Sequence, residues 1–144
     1  RQALRMRPDR LVVGEVRDAA VVDLMAAMNT GHEGGCGTLH ANSALDVPAR
    51  VEALALTAGL GRAAAHSQLA AALDVVLHLG RDRGAGRGPG QRRLAQIAVL
   101  ERDSSGLVST VPAVSFGPDG ALTSGPGGRR LLNLLDRRSG GVSP

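Results

Sequence analysis

Hydrophobic residues in the first half of the chain recur with two periods, one typical of strands and one typical of helices. Residues 10–16 form a short, β-branched apolar run, which predicts a strand buried on both faces. Apolar positions in residues 19–28 have helical spacing, and Asp18 stands where a capping residue is expected. Four further elements are predicted: a short strand ending at His40, a helix capped by Asn42 or Ser43 and running to about residue 58, a helix at 63–73 and a strand at 75–79.

The order of these elements indicates an α/β fold with a mainly parallel sheet, because strands alternate with helices. The pattern changes after Gly80, since residues 81–93 are rich in arginine, glycine and proline without apolar anchors, which indicates a hairpin tip. Alternation then predicts two antiparallel strands, at 94–100 and 107–116, and a short amphipathic stretch at 129–135. We therefore divide the chain into an α/β part at 1–80, a polar loop with antiparallel strands at 81–116, and a Gly/Pro-rich tail with a short helix at 117–144.

Composition narrows the classes of function. All 17 basic side chains are arginine, and the net charge is +4. The arginines are scattered and Phe116 is the one aromatic residue, so the stacking and base-reading side chains of a nucleic-acid-binding domain are missing. The single cysteine, Cys36, excludes an internal disulfide, and no stretch approaches the roughly 20 apolar residues of a membrane span. These features favour a cytoplasmic protein that does not bind nucleic acid.

Glu15 is the first candidate for chemistry, because it lies near the end of the first predicted strand. Ligands of parallel α/β sheets bind at the carboxyl ends of the strands, and P-loop ATPases place there the acid that orients the attacking water. A hydrophobic run followed by an acid also occurs by chance in many domains. This pattern alone therefore leaves both interpretations open.

Residues 29–42 concentrate polar groups in a glycine-rich segment. His32 and His40 lie among four glycines, with Thr38 and Asn42 close by in sequence. Glycine lets a backbone approach a ligand closely, and a histidine can donate a hydrogen bond to a phosphate oxygen. The segment is therefore a candidate for phosphate binding.

Other interpretations of this segment remain open. His32, Cys36 and His40 are spaced by four, as zinc ligands on one helix face would be, although the intervening glycines argue against that helix. Alternatively, the histidines have only a structural role in a polar loop. A serine or cysteine hydrolase is not indicated, because no nucleophile-elbow sequence is present. His66 and His78 have no chemical neighbours in sequence, and we interpret both as structural.

Two blocks of the chain resemble the type II/type IV secretion ATPase family. Residues 4–18, with RMRPD and then Gly14-Glu15, resemble its Walker B region, and residues 29–43, with their two histidines, resemble its histidine box. The sequence RMRPD resembles the Tad/Flp-pilus and conjugation branch of that family more than its type II secretion branch. The resemblance implies the C-terminal part of a RecA-like P-loop ATPase domain, followed by a small antiparallel β annex and a loose tail. It also implies a homohexamer at the cytoplasmic face of the bacterial inner membrane, coupling ATP hydrolysis to movement of an inner-membrane platform protein of a pilus or secretion system.

The resemblance further implies roles for individual residues. Glu15 would be the catalytic acid that polarises the attacking water, and His32 and His40 would lie near the γ-phosphate or the subunit seam. The nucleotide-binding residues implied are Gly14, Arg17, Thr38 and Asn42. Because Gly14 stands where other NTPases have aspartate, Mg²⁺ is expected to be held by a phosphate-loop hydroxyl and water, with no protein metal ligand in this chain.

One departure from the family pattern is large. Gripping phosphate requires a glycine-rich loop with a lysine and a Ser/Thr, and the chain contains no lysine. That loop and the N-terminal domain are expected to precede Arg1, so the chain by itself is expected not to hydrolyse ATP. The alternative function is a non-enzymatic one: a non-catalytic interaction module, or a relic that lost the phosphate loop. An in-frame phosphate loop encoded upstream would favour the motor.

Overall fold

A computed structural model describes residues 10–30, 34–81 and 92–139 of the chain. These ranges hold six strands, four α-helices and a short 3-10 helix. The strands are β1 (Val12–Val16), β2 (Cys36–Leu39), β3 (Val75–Arg81), β4 (Arg92–Arg102), β5 (Val108–Phe116) and β6 (Leu122–Ser124). The α-helices are α1 (Ala20–Met28), α2 (Val47–Thr57), α3 (Arg62–Ala72) and α4 (Gly128–Ser139), and the 3-10 helix is Ala44–Asp46. The presence and type of each predicted helix and strand are confirmed. Most of the hairpin tip predicted at 81–93 lies outside the described residues.

The chain forms two compact units. Unit 1 comprises Arg1–Leu73 and Glu101–Ser109, and unit 2 comprises Asp74–Leu100 and Thr110–Pro144. In unit 1, β1 and β2 form a parallel pair, as the alternation of strand and helix predicts. The helices α1, α2 and α3 contact one another in the same unit.

The core of unit 1 is formed by helical stripes of small and aliphatic side chains. On α1 the buried residues Val21, Met25 and Met28 are spaced by four and then three, which is the spacing of one helix face. An equivalent stripe on α2 comprises Val47, Val51, Leu54 and Ala55. Leu69 of α3 is 1% exposed, like Met25. The low aromatic content is thus matched by a core that depends on many small contacts.

The helix starts differ in how their backbone donors are satisfied. The Asp18 carboxylate accepts a hydrogen bond from the Ala20 N–H at 2.9 Å, which confirms its capping role for α1. The predicted cap for the next helix is wrong. Ser43 directly precedes the 3-10 helix, but its hydroxyl donates to Asp46 Oδ2 at 2.8 Å and makes no cap bond. The side chain that could cap the helix is therefore bonded to an acid in the first turn.

The burial predicted for β1 is also wrong. Val16 is buried, but Val12 is 73% exposed and Gly14 is exposed. Among the residues that the structure describes, β1 pairs with β2 on one edge only. A parallel strand is buried on both faces when helices and further strands surround it, and the described part of the chain places only β2 beside β1.

Unit 2 contains a four-stranded sheet in the order β3-β4-β5-β6. β3 and β4 pair antiparallel from Val75↔Val99 to Arg81↔Arg92. The assignment of the strand at 75–79 to the parallel sheet is therefore wrong. Element order alone cannot distinguish a third parallel strand from the first strand of a hairpin, because both follow a helix.

The start of α4 depends on a close approach of the backbone to the sheet. A Cβ at Gly127 would lie 2.8 Å from Val99 Cγ2, and the Gly127 N–H donates to the Pro112 carbonyl at 2.8 Å. α4 follows directly and carries four leucines. None of the helices in the described ranges combines the length and apolar character needed to cross a bilayer.

Candidate functional site

Glu15 lies at an irregularity in the parallel pair. Val13 is opposite Gly37 and Val16 is opposite Leu39, so Gly14 and Glu15 together face the single residue Thr38. One strand therefore holds one more residue than its partner, which is the arrangement of a β-bulge. Bulges turn a side chain away from the direction that regular pairing would give it, and they are frequent beside active sites.

The ends of the two strands bring Glu15 and His40 together. β2 ends at Leu39, and His40 follows at the same edge of the pair. His40 Nε2 lies 2.7 Å from Glu15 Oε1, and Arg17 Nη2 lies 2.6 Å from Glu15 Oε2. The side chains of Arg17 and His40 are 76% and 78% exposed, whereas that of Glu15 is 27% exposed. The three residues form one cluster, with the carboxylate at its centre.

The cluster holds Glu15 in its ionised form. The hydrogen bond from Arg17 is the largest cause that lowers the pKa of the Glu15 carboxyl, and the charges of Arg17 and of protonated His40 add to it. Partial burial acts in the opposite direction without reversing the shift. The same bond raises the pKa of Arg17. Glu15 is therefore an anion at neutral pH, able to accept hydrogen bonds.

One oxygen of this carboxylate has an unused acceptor position. Glu15 Oε1 is shielded from solvent and receives no well-directed hydrogen bond from the residues that the structure describes. His40 Nε2 lies 2.7 Å from Oε1, and a carboxylate oxygen has a second acceptor position besides the one that such a neighbour can occupy. Buried carboxylate oxygens are normally paired, so a donor from outside these residues would find an acceptor here.

The other predicted site residues are placed differently. Thr38 faces the bulge and Asn42 follows His40, and both are exposed. His32 lies outside the described residues. Cys36 begins a strand, so it and His40 are not on one helix face as the zinc interpretation required. Gly37 lies against α1, since a Cβ there would lie 2.9 Å from Leu24 Cδ2.

Removing Arg17 tests the charge balance of the cluster. In Arg17→Ala the pKa of Glu15 should rise toward its ordinary value, because the largest lowering cause is lost and burial remains. A lowered pKa in the folded state gives stability that is present above the unfolded value and is lost as pH falls through the folded value. On acidification the variant should therefore lose less stability through Glu15 than the unaltered protein, and that smaller loss should be complete at a higher pH. A carboxyl carbon NMR titration of Glu15 measures this shift.

Arg50 supplies a matched control for that titration, because it is an exposed arginine on α2. Arg50→Ala should leave the Glu15 titration where it is in the unaltered protein. If Arg17→Ala and Arg50→Ala give the same Glu15 titration as the unaltered protein, Arg17 does not control the carboxylate.

A second cluster, which contains Glu52, was missed at the level of sequence. His66 on α3 is 4% exposed, and its Nδ1 accepts a hydrogen bond from the Val108 N–H at 2.8 Å. The ring proton is consequently on Nε2, which lies 3.0 Å from Glu52 Oε2. Arg62 Nε is 3.4 Å from the same oxygen. His66 thus connects α3 to α2 and to the start of β5, in agreement with a structural role.

Comparison with known proteins agrees with the resemblance found in the sequence. A model of the family described as Type II/IV secretion system protein matches residues 1–109, which include both clusters. A protein named as a conjugal transfer protein in Mycobacterium tuberculosis strain H37Rv is 66% identical over 111 residues, covering 77% of this chain and 30% of the relative. The conjugal transfer protein TrbB of Sinorhizobium fredii is 38% identical over 106 residues, covering 74% of this chain and 30% of the relative.

A shorter stretch of the chain is similar to a component of a secretion system. The type IV secretion system protein VirB11 of Bartonella henselae is 46% identical over 43 residues, covering 30% of this chain and 12% of the relative. The chain spans about 30% of the length of the conjugal transfer proteins that it matches. The part compared is therefore a minority of each relative.

Proposed function

Because this chain belongs to the type II/IV secretion system protein family, in its conjugation-type branch, we propose that it is the C-terminal part of a RecA-like motor ATPase. The complete motor couples ATP hydrolysis to pilus assembly or protein secretion. The observation that carries the proposal is the pairing of Glu15 with His40 at the carboxyl end of the parallel β1–β2 pair. Catalytic acids of nucleotide-binding α/β domains lie at that edge.

In this motor Glu15 is the catalytic acid. Its carboxylate orients and polarises the attacking water by accepting a hydrogen bond, for which the unused position on Oε1 is available. Arg17 keeps the carboxylate ionised between turnovers. His40 is held at the same edge, where its exposed ring can reach a phosphate oxygen or a neighbouring subunit. The bulge places these groups by turning Glu15 toward His40.

The described residues fit a bound nucleotide in two respects. The free acceptor on Glu15 Oε1 suits a water molecule, and the backbone at Gly14 is open, since a Cβ there would meet no described atom within 4 Å. Thr38 and Asn42 complete the polar edge with exposed side chains. ATP with Mg²⁺ would supply the phosphoryl group and neutralise its charge. The metal ligands, on this proposal, come from the phosphate loop and water.

The partners follow from the same assignment. We propose a homohexamer in which the cluster of Glu15, Arg17 and His40 lies close to a subunit boundary, as the exposure of Arg17 and His40 permits. The hexamer acts on an inner-membrane platform protein at the inner face of the bacterial membrane. The conjugal transfer and VirB11 names of the relatives support a role in transfer or secretion.

Side-by-side assays of two proteins test the proposal. ATP turnover and nucleotide affinity are measured for the 144-residue chain and for the longest product of the same gene. We expect hydrolysis by the longer protein and none by the chain alone, because the chain lacks the lysine that grips phosphate. Hydrolysis by the chain alone would contradict this account of phosphate binding. A longer protein without nucleotide affinity would instead favour a non-catalytic module.

A further inference from the structure

The charge of the chain is divided unevenly between its two units. Unit 1 has eight arginines and nine acidic residues, a net charge of −1, whereas unit 2 has nine arginines and four acidic residues, a net charge of +5. The whole positive excess of the chain is therefore in unit 2. A basic surface of this kind attracts anionic partners.

The sheet of unit 2 contains a local concentration of this charge. In the β3–β4 pair Arg81 lies directly opposite Arg92, and both are exposed. Like charges at directly opposite positions of an antiparallel pair repel and destabilise it. An anion bound near these residues would relieve the repulsion.

α4 combines charge with apolar surface. Its sequence GRRLLNLLDRRS holds four leucines, four arginines and one acid in 12 residues. At 3.6 residues per turn the leucines fall on one side of the helix, and Arg129, Arg130 and Arg137 fall on the other. Leu132 and Leu135 are 62% and 55% exposed, whereas Leu131 and Leu134 are half-buried. Part of the apolar side therefore stays open.

The exposed leucines distinguish between two anionic partners that could bind the arginines, a nucleic acid and an anionic lipid surface. A nucleic acid offers phosphates but gains little from leucine side chains, and unit 2 has only Phe116 for stacking on bases. An anionic lipid surface offers phosphates to the arginines and an apolar interior to the leucines. Helices with basic residues on one side and leucines on the other lie in the plane of such a surface.

We propose that α4 is a membrane-surface helix that binds anionic phospholipid through Arg129, Arg130 and Arg137 and inserts Leu132 and Leu135 among the acyl chains. The arginine stems extend along the helix while their guanidinium groups reach the lipid phosphates. The proposal goes beyond the ATPase assignment and does not rest on it, since unit 2 contains neither Glu15 nor His40. Lipid binding and ATP hydrolysis can therefore be measured independently.

Vesicle co-sedimentation of the full-length protein tests this. Vesicles of phosphatidylcholine alone are compared with vesicles of equal parts phosphatidylcholine and phosphatidylglycerol. We expect binding to the anionic vesicles, weakened by salt. Leu132→Ser combined with Leu135→Ser should weaken it on the order of tenfold, because two exposed side chains lose their burial in lipid. Arg129→Gln combined with Arg130→Gln should weaken it about 25-fold, since each arginine near the surface contributes about fivefold.

Matched controls come from α2, which carries an exposed leucine and an exposed arginine. Leu56→Ser and Arg50→Gln should bind the anionic vesicles as the unaltered protein does. Basal ATP turnover without vesicles should be unchanged in Leu132→Ser/Leu135→Ser, and circular dichroism should show that the fold is retained. These controls separate a lipid contact from a general change in charge or stability.

Three outcomes would overturn the proposal. The first is an absence of binding to anionic vesicles by a protein that is folded. The second is binding that the arginine changes abolish and the leucine changes leave intact, which would indicate a polyanion site without insertion. The third is loss of binding on addition of duplex DNA together with insensitivity to the leucine changes, which would indicate a nucleic-acid surface.

Discussion

In the full-length protein, Glu15→Gln should lower ATP turnover a hundredfold or more and leave ATP affinity close to that of the unaltered protein. Glutamine has nearly the shape of glutamate but carries no charge and is a poor proton acceptor. Positioned acid–base groups contribute about 10²- to 10⁴-fold to a rate, which sets the size of the expected loss. Turnover is measured in steady state and affinity by equilibrium binding.

Unfolding should not account for that loss. The ion pair between Glu15 and Arg17 includes a 76% exposed guanidinium, and exposed ion pairs contribute little to stability because solvent screens them. Glu15→Gln should therefore show nearly unchanged thermal unfolding. A variant that loses turnover and melts far below the unaltered protein would not test the catalytic role.

Asp18→Asn is the matched control, because it makes the same change from acid to amide three residues further along the chain. Asp18 accepts a hydrogen bond from the Ala20 N–H at the start of α1, and asparagine caps helices about as well as aspartate. Its turnover should equal that of the unaltered protein. If Glu15→Gln hydrolyses ATP as fast as Asp18→Asn, Glu15 is not the catalytic acid.

The sequence predicted the local elements better than their pairing. The apolar run at 10–16 and the helical spacing at 19–28 identify β1 and α1, because period and length are local properties. The neighbours of a strand are not local. β3 has the composition of a parallel strand, yet it pairs antiparallel with β4 in the sheet of unit 2.

The candidate site was predictable in part. The ends of parallel strands meet at one edge, so the approach of Glu15 to His40 follows once both strands are identified. The bulge that holds Gly14 and Glu15 opposite Thr38 depends on register, which no pattern in a single sequence shows. Arg17, expected at the nucleotide, contacts Glu15 in the structure. Its role at the nucleotide stays a prediction.

The contact of His66 with Glu52 could not be predicted from the sequence, because the two residues are far apart along the chain. Fourteen residues separate them, and Val108 lies 42 residues beyond His66. The packing of α3 against α2 brings His66 to Glu52, and the start of β5 brings the Val108 N–H to the other ring nitrogen. A histidine in an alanine-rich helix gives no sign in sequence of such partners.

His66→Ala should destabilise the protein by about 2–4 kcal/mol, which is about 30- to 1,000-fold in the unfolding equilibrium. The change leaves the buried Val108 N–H without its acceptor and Glu52 without its nearest donor. It also leaves a cavity where an imidazole was 4% exposed. Urea unfolding followed by circular dichroism should show a lower midpoint with an unchanged slope. His40→Ala, at a 78% exposed position, should change stability by less than about 0.5 kcal/mol.

Two conservative variants resolve which hydrogen bond of His66 matters more. An asparagine oxygen can occupy the position of Nδ1 and accept from the Val108 N–H, whereas a glutamine amide can reach the position of Nε2 and donate to Glu52. Because an unpaired buried backbone donor costs more than a lost bond to the partly exposed Glu52, His66→Asn should be more stable than His66→Gln. The reverse order would make the contact with Glu52 the dominant one. A loss in His66→Ala no larger than that in His40→Ala would show that neither bond stabilises the fold.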